Sequence, residues 1–387
     1  MKDYFAKNAP IRFLDFIDGD CINERDGKKI EHGIALSVRV AAPAGADMVL
    51  NGTPMTEESA GIFCAEVVLY GYRNALVAED RVSGQSARIN LFYLKNAVGK
   101  FRFSSDDNLL FLQDITENKD SYRSIFENPY LAIYKKAHDL YGAKVHLNLF
   151  YEFDEKARER FSAPRPYFNL SMMTDKFRDE FAANADWLKL AFHSNSENPG
   201  NPYANATAEK ITEDCIRVHR EILRFAGPAS ISNSTTTHFG SGNLDCVRAL
   251  RALGYTSLTG YFEIHRGAPL VSYYAPVDLT LHVGERDFWV DTEEDMTYGR
   301  IDRVTNIGTL EEIMNDVRDV VAHPHRGGFV SVMIHEQYFY EDYIKYLPDF
   351  ADRILEPCRY LYEHGYVGAH ITDVTREPNL NENERFS

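Results

Sequence analysis

The hydrophobic and polar positions of the chain follow two different rhythms, and the change falls near residue 98. Over residues 1–97, short apolar runs alternate with turn-forming pairs such as Asp18-Gly19 and Asn51-Gly52, and no stretch has the periodicity of a helix. The predicted strands cover residues 11–17, 34–42, 46–52, 61–72, 74–80 and 87–94. Strands at this spacing are typical of a small all-β sandwich domain.

Over residues 98–387, apolar strands alternate with amphipathic helices, which is the pattern of a layered α/β fold or a barrel. The predicted strands cover residues 100–105, 144–153, 187–194, 229–236, 255–262 and 328–335. The predicted helices lie at about 126–141, 172–184, 207–226, 243–253, 309–322 and 341–364. The chain is therefore predicted to have two domains, 1–97 and 98–387.

The helix over residues 207–226 has the clearest boundaries. Thr207 is a suitable N-cap, and Gly227-Pro228 ends the helical pattern. The helical period places five apolar residues on one face: Ile211, Cys215, Val218, Ile222 and Leu223.

The formal net charge of −16 excludes several classes of partner. Nucleic acid and anionic membrane surfaces would be repelled, and no Lys/Arg-rich run provides a local exception. The five cysteines are scattered without a CxxC pair, which argues against a disulfide framework or a thiolate zinc site. The chain has no apolar signal segment at its start and no apolar run of 18 residues, so we expect a cytoplasmic location.

Residues that can carry chemistry stand at the ends of three predicted strands. Asp106 and Asp107 follow the strand over 100–105, and two adjacent carboxylates repel one another unless a cation, a proton or a donor intervenes. His193 and Glu197, four residues apart, are both competent metal ligands. His335 ends the last predicted strand. Each signal alone has a structural interpretation, as a turn, a loop charge or a core histidine, so the order of the three is what points to an active site.

In this order the residues resemble the motifs of the polysaccharide deacetylase family, over roughly residues 99–387. The family's aromatic-x-Asp-Asp motif is matched by Phe103-Ser-Ser-Asp106-Asp107, with one extra serine. Its His-Ser/Thr-x-x-His motif is matched by His193-Ser-Asn-Ser-Glu197, and its Leu-x-His motif by Met333-Ile-His335. The resemblance implies a distorted (β/α) barrel preceded by the β-sandwich.

The resemblance also implies a role for each matched residue. Asp106 would be the general base and His335 the general acid. One divalent metal ion, such as zinc, would be bound by Asp107, His193 and Glu197. Because successive side chains of a strand point to opposite sides, a turn is needed to bring Asp106 and Asp107 to one cavity.

The chain departs from the family pattern at two places. Glu197 stands where the family has histidine, and His238 is the alternative third ligand. The arginine that pairs with the base in the family has no counterpart in the segment Ser230–Gly240. For the aspartate that supports the catalytic histidine, Asp287 and Asp291 in DFWVD and Asp373 in HITDV are the candidates.

These residues predict a metal-dependent hydrolase that removes an acyl group, an N-acetyl group above all, from an amino sugar or other carbohydrate. A metal-independent glycoside hydrolase that uses Asp106 and Glu197 is an alternative. A carbohydrate-binding protein without catalysis is another. The sequence leaves open which sugar is the substrate and whether the chain forms a homo-oligomer.

Overall fold

The computed structural model describes residues 3–375, so the ends of both predicted domains, residues 1–2 and 376–387, lie outside the described residues. The described residues before 98 form strands and no helix. The strands are β1 (Arg12–Phe13), β2 (Cys21–Ile22), β3 (Lys28–Ile30), β4 (Gly33–Ala41), β5 (Met48–Leu50), β6 (Thr53–Pro54), β7 (Thr56–Ser59), β8 (Ile62–Leu69), β9 (Arg73–Asp80) and β10 (Ser86–Tyr93).

These ten strands form two sheets that share one hydrophobic cluster. One sheet has the order β1-β4-β8-β7 with β3 also paired to β4, and the other has the order β2-β10-β9-β5-β6. In β4, Leu36, Val38 and Val40 are buried while Ser37 and Arg39 are not, as expected of a strand with one face toward a core. Side chains from both sheets enter the same cluster, so the sheets pack face to face. A separate sandwich domain stays a prediction.

After residue 98, helices alternate with strands. The strands are β11 (Lys100–Asn108), β12 (Val145–Phe150), β13 (Leu188–Ser194), β14 (Ser234–Thr235), β15 (Ser257–Gly260), β16 (Glu263–His265), β17 (Ala268–Leu270), β18 (Phe288–Asp291), β19 (Met296–Arg300), β20 (Arg303–Val304), β21 (Phe329–His335) and β22 (Val367–Gly368). The helices are α1 (Leu110–Glu117), α2 (Pro129–Tyr141), α3 (Glu155–Arg158), α4 (Arg178–Ala183), α5 (Ala208–Phe225), α6 (Leu244–Ala252), α7 (Val277–Gly284), α8 (Leu310–Ala322), α9 (Asp352–Glu363) and α10 (Ile371–Thr375).

The sheets of this region are largely parallel. The strand order β13-β12-β11-β21-β20, with β22 on β11, is parallel throughout. A second sheet, β14-β15-β19-β18, is parallel except for β18, and β16 and β17 form a small hairpin. A bridge between Leu190 and Ile231 links the two larger sheets at one end, and the chain passes directly from β19 to β20 at the other. Neither sheet closes on itself, and the distorted barrel stays a prediction.

The helix expected over 207–226 is observed as α5, with the Thr207 side chain accepting the N–H of Lys210 as its N-cap. The face assignment is wrong for Leu223, whose side chain is exposed. The helix expected over 341–364 begins only at Asp352. No helix in the described part of the chain is both long and apolar enough to cross a membrane.

Helix α1 is not predicted from the sequence, because it has only eight residues and no neighbouring side chain that caps its first turn. Its first turn has no N-cap of its own. Instead the carboxylate of Glu336, which follows β21, accepts the N–H groups of Leu109, Leu110 and Phe111 at 2.6, 2.9 and 2.5 Å. Glu336 is fully buried. It therefore ties the segment after β21 to the end of β11.

Replacement of Glu336 by alanine is expected to lower the free energy of unfolding by about 3 kcal/mol, since each buried donor left without a partner costs about 1–3 kcal/mol. Chemical denaturation measures the loss. The matched control is Glu363→Ala, which removes a half-exposed carboxylate paired with Arg359 and should change stability by about 0.5 kcal/mol at most. Equal losses in the two variants would contradict the anchoring role.

Candidate metal centre

Polar residues collect where the parallel strands end. Because neighbouring strands run in the same direction, their carboxyl ends meet at one rim of the sheet. The residues at this rim are Asp106 and Asp107 of β11, Asn148 of β12, His193 of β13, His238 just after β14, and His335 of β21. The predicted site residues Asp106, Asp107, His193 and His335 therefore lie at one edge. His238, the alternative third ligand, and Asn148, which has no role predicted from the sequence, lie at the same edge.

A β-bulge in β11 allows the side chains of Asp106 and Asp107 to lie at the same edge of the sheet. Ser105 pairs with Leu147, but Asn108 pairs with Leu149, so one extra residue is inserted in β11. Asp107 has a φ of 62°, in the left-handed region that aspartate tolerates better than most residues. The backbone departs from regular strand geometry at the second aspartate, where the sequence analysis expects a turn.

Three side chains converge on one point. The Nε2 atom of His193 lies 3.1 Å from Oδ1 of Asp107, and Nδ1 of His238 lies 3.4 Å from the same oxygen. The two histidine nitrogens are 3.1 Å apart. One ligand atom from each residue lies within 4.8 Å of the other two, and all three residues are buried. Two imidazoles and one carboxylate are a familiar ligand set for zinc and for other divalent transition metals.

The outer nitrogen of each histidine faces a main-chain carbonyl oxygen. Nδ1 of His193 contacts the carbonyl oxygen of Thr236, and Nε2 of His238 contacts that of Glu197 at 3.0 Å. A carbonyl oxygen only accepts, so these outer nitrogens carry hydrogens in the neutral imidazoles. The inner nitrogens then present lone pairs to one another and to the carboxylate. Three acceptors this close need a cation or a proton between them, and metal-binding histidines have this outer-nitrogen arrangement.

The charges of the site favour the same conclusion. Burial alone raises the pKa of Asp107, but the adjacent imidazoles of His193 and His238, to the extent that they carry a proton, hold it well below its usual range. Burial alone lowers the pKa of His193, yet the negative charges of Asp106 and Asp107 bring it above its usual value. The two carboxylates thus draw a positive charge into the point where the three ligand atoms meet.

His238, the alternative third ligand, takes the place in the cluster that was expected for Glu197. Glu197 does not belong to the group of converging ligand atoms in the described residues. The loop after β13 turns its carboxylate toward the guanidinium group of Arg160, with which it forms an ion pair. Glu197 contributes through its main-chain oxygen, which holds His238 in place.

Asp106 lies outside the cluster and is bound by a residue of the neighbouring strand. Its Oδ1 atom accepts a hydrogen bond of 2.6 Å from Nδ2 of Asn148. The Oδ1 atom of Asn148 in turn accepts one of 3.1 Å from the hydroxyl of Thr235. Asp106 and Asn148 are both buried. This chain fixes the orientation of the carboxylate predicted to be the general base.

His335 is the register partner of Asp106 across β11 and β21, so the two side chains lie on the same face of the sheet at its rim. Nδ1 of His335 lies 2.8 Å from Oδ1 of Asn306, which therefore orients the ring. The expected supporting aspartates lie elsewhere. Asp287 accepts the N–H groups of Gly327 and Phe329, Asp291 binds the hydroxyl of Tyr274, and Asp373 pairs with Lys144.

An arginine lies beneath the rim, on β11 rather than on the segment where the sequence analysis sought one. Arg102 is fully buried and donates to the hydroxyls of Ser331 and Thr259 at 2.9 and 3.1 Å. Arg102 and Asp106 are four residues apart on one strand and so share a face. Burial lowers the pKa of Arg102 to about 10, and the charge of Asp106 is the largest opposing influence. Arg102 could have been identified from the sequence, because it is a charged residue inside an otherwise apolar predicted strand.

No protein-family model matches the chain, and no curated protein matches it. Among solved structures, a calcium-binding mutant of Bacteroides uniformis beta-glucuronidase 2 is similar with a TM-score of 0.26 and 7% sequence identity. The alignment covers 80% of this chain and 45% of that chain, so the chain spans less than half the length of that protein. A TM-score this low carries no argument about fold or function, and the family resemblance rests on its three motifs.

Proposed function

We propose that the chain is a metal-dependent hydrolase that removes an acyl group, in particular an N-acetyl group, from an amino sugar or other carbohydrate. The observation that carries the proposal is the meeting of three lone-pair atoms from Asp107, His193 and His238, each histidine held by a main-chain carbonyl. This donor set fits a divalent ion. Such an ion, when bound, supplies a Lewis acid that lowers the pKa of water toward about 7 and stabilises negative charge on a carbonyl oxygen.

The chain's own residues supply the proton transfers. Asp106, adjacent in sequence to a ligand and fixed by Asn148, is placed to take a proton from the attacking water. His335, its register partner, is placed to give a proton to the leaving amine through Nε2, since Nδ1 is engaged by Asn306. Amide hydrolysis requires both tasks, because an amine leaves poorly unless it is protonated. The division of labour between the two residues supports an amide as the substrate.

The purified protein is expected to bind one equivalent of a divalent transition metal. His193→Ala should lower that affinity by more than 100-fold, since loss of a direct ligand exceeds the 10–100-fold effect usual for supporting residues. The matched control is His323→Ala, which removes a histidine that pairs with Glu285 outside the cluster and should bind metal as the wild type does. Elemental analysis and competition with a chelator provide the measurements.

Acetate release from N-acetylated amino sugars, assayed with and without the chelator, separates the alternative functions. Hydrolysis of glycosidic bonds that survives chelation would support the metal-independent glycoside hydrolase instead. One equivalent of metal and binding of an oligosaccharide without hydrolysis would support the binding protein. A wild-type protein that binds no divalent ion would refute the metal centre itself.

A further inference from the structure

Gln337 contacts the metal centre from a side that neither the motifs nor the proposed mechanism uses. It follows β21 by two residues, in a short 3-10 helix over Glu336–Phe339. Its Nε2 atom donates a hydrogen bond of 2.8 Å to Oδ2 of Asp107. The side chain is buried. The second oxygen of the aspartate thus has a partner of its own.

The two oxygens of Asp107 therefore have separate surroundings. Oδ1 faces the inner nitrogens of His193 and His238, at 3.1 and 3.4 Å. Oδ2 is occupied by the amide of Gln337. A carboxylate can ligate a metal through one oxygen or through two. The hydrogen bond on Oδ2 favours ligation through Oδ1 alone.

The orientation of the amide group is fixed by chemistry. An ionised carboxylate only accepts, so the NH₂ group of Gln337 must face Asp107 and the Oε1 atom must face away. Oε1 is buried and has no hydrogen-bond partner in residues 3–375. A buried acceptor without a partner costs free energy that an apolar side chain of the same length would avoid. Packing therefore does not account for glutamine at this position.

The two residues before Gln337 are held by side-chain contacts. The preceding residue, Glu336, is bound to the first N–H groups of α1, and its Oε1 also accepts the hydroxyl of Tyr340 at 2.7 Å. His335, one residue further back, is held by Asn306. These contacts fix the position from which the Gln337 amide reaches Asp107. A residue that supports a metal ligand must itself be held in place.

We propose that Gln337 is a positioning residue that holds Asp107 as a one-oxygen metal ligand and so keeps a coordination position free for water and substrate. The inference rests on the proposed metal centre and deepens it. Removal of the amide frees Oδ2, so that Asp107 can swing or ligate through both oxygens. Residues that support metal ligands by hydrogen bonding typically affect metal affinity or activity by about 10–100-fold.

The test is Gln337→Met, which keeps the length of the side chain and removes both polar atoms. We expect zinc affinity, measured by chelator competition, to fall by about 10–100-fold. The visible spectrum of the cobalt(II)-loaded protein should change, because it reports the number and arrangement of ligands. The melting temperature of the metal-free protein should change little, because loss of the hydrogen bond to Oδ2 of Asp107 is offset by removal of the unpartnered buried oxygen.

The matched control is Gln113→Met. Gln113 is also a buried glutamine that donates to a carboxylate, at 2.8 Å to Oε1 of Glu117, but it lies on α1 outside the cluster. This variant should leave the zinc affinity and the cobalt spectrum unchanged. Gln337→Leu provides a second apolar replacement if the methionine variant fails to fold.

Zinc affinity within about twofold of the wild type, with an unchanged cobalt spectrum, would overturn the role of Gln337 whatever the stability of the variant. A lower melting temperature of the metal-free protein, without a change in affinity, would assign Gln337 to the fold alone. These results require that the wild type bind metal. If the wild type binds none, the proposed function fails first, and the two failures are therefore distinguishable.

Discussion

Asp107→Asn is expected to lower metal affinity by more than 100-fold and to abolish hydrolysis, whereas Asp106→Asn should keep the metal and lower kcat by roughly 10²–10⁴-fold. The two residues are neighbours in sequence, but their contacts differ. Asp107 meets His193 and His238, and Asp106 meets Asn148. Each substitution removes one negative charge and preserves the shape of the side chain, so each variant is the control for the other.

Metal content, chelator competition and the rate of acetate release from an N-acetylated amino sugar decide the outcome. If Asp106→Asn lost the metal while Asp107→Asn retained it, the roles of the two aspartates would be reversed. If both variants hydrolysed the substrate at the wild-type rate, the active site would lie elsewhere in the chain.

His335→Ala is expected to retain one equivalent of metal and to lower kcat for an amide by roughly 10²–10⁴-fold, the usual range for loss of a general acid. The reason is that His335 is assigned to protonate the leaving amine. An activated aryl ester has a leaving group that needs no proton, so the same variant should hydrolyse it with a much smaller loss. The ratio of the two rates, compared with the wild type, is the measurement.

The matched control for His335→Ala is His364→Ala, which removes an exposed histidine after α9. It should leave the amide-to-ester ratio unchanged. Equal losses for amide and ester in His335→Ala would show that His335 does not deliver the proton. Loss of the metal in that variant would instead make His335 part of the ligand set.

Part of the site could be predicted, because the sequence shows where apolar strands end and which polar residues follow them. Asp106-Asp107 and His193 each follow an apolar run, which predicts that they lie at the ends of strands. In the structure, Oδ1 of Asp107 lies 3.1 Å from Nε2 of His193. The convergence of His238 rather than Glu197 on Asp107 and His193 could not be predicted, since spacing within a loop does not fix where a side chain points. Glu197 forms an ion pair with Arg160, and His238, at the end of a different strand, meets Asp107 and His193.

The supporting residues could not be predicted, for a different physical reason. Asn148, Asn306 and Gln337 are single amides without a repeating pattern, and each acts on a residue far away in the sequence. Helix α1 is also not predictable from the sequence, because it is short and its first N–H groups are bound by Glu336 rather than by a neighbouring N-cap. Contacts between residues so far apart in the sequence can be identified only from the three-dimensional structure.

The central position of β11 has a consequence for the chain as it is synthesised. One edge of β11 pairs with β12, which follows soon after, but the other pairs with β21 near the end of the described residues. Leu109 and its anchor Glu336 are 227 positions apart. At about 5–20 residues per second, a ribosome needs on the order of 10–50 s to cover that distance. Throughout this interval the nascent chain holds an open strand edge along β11.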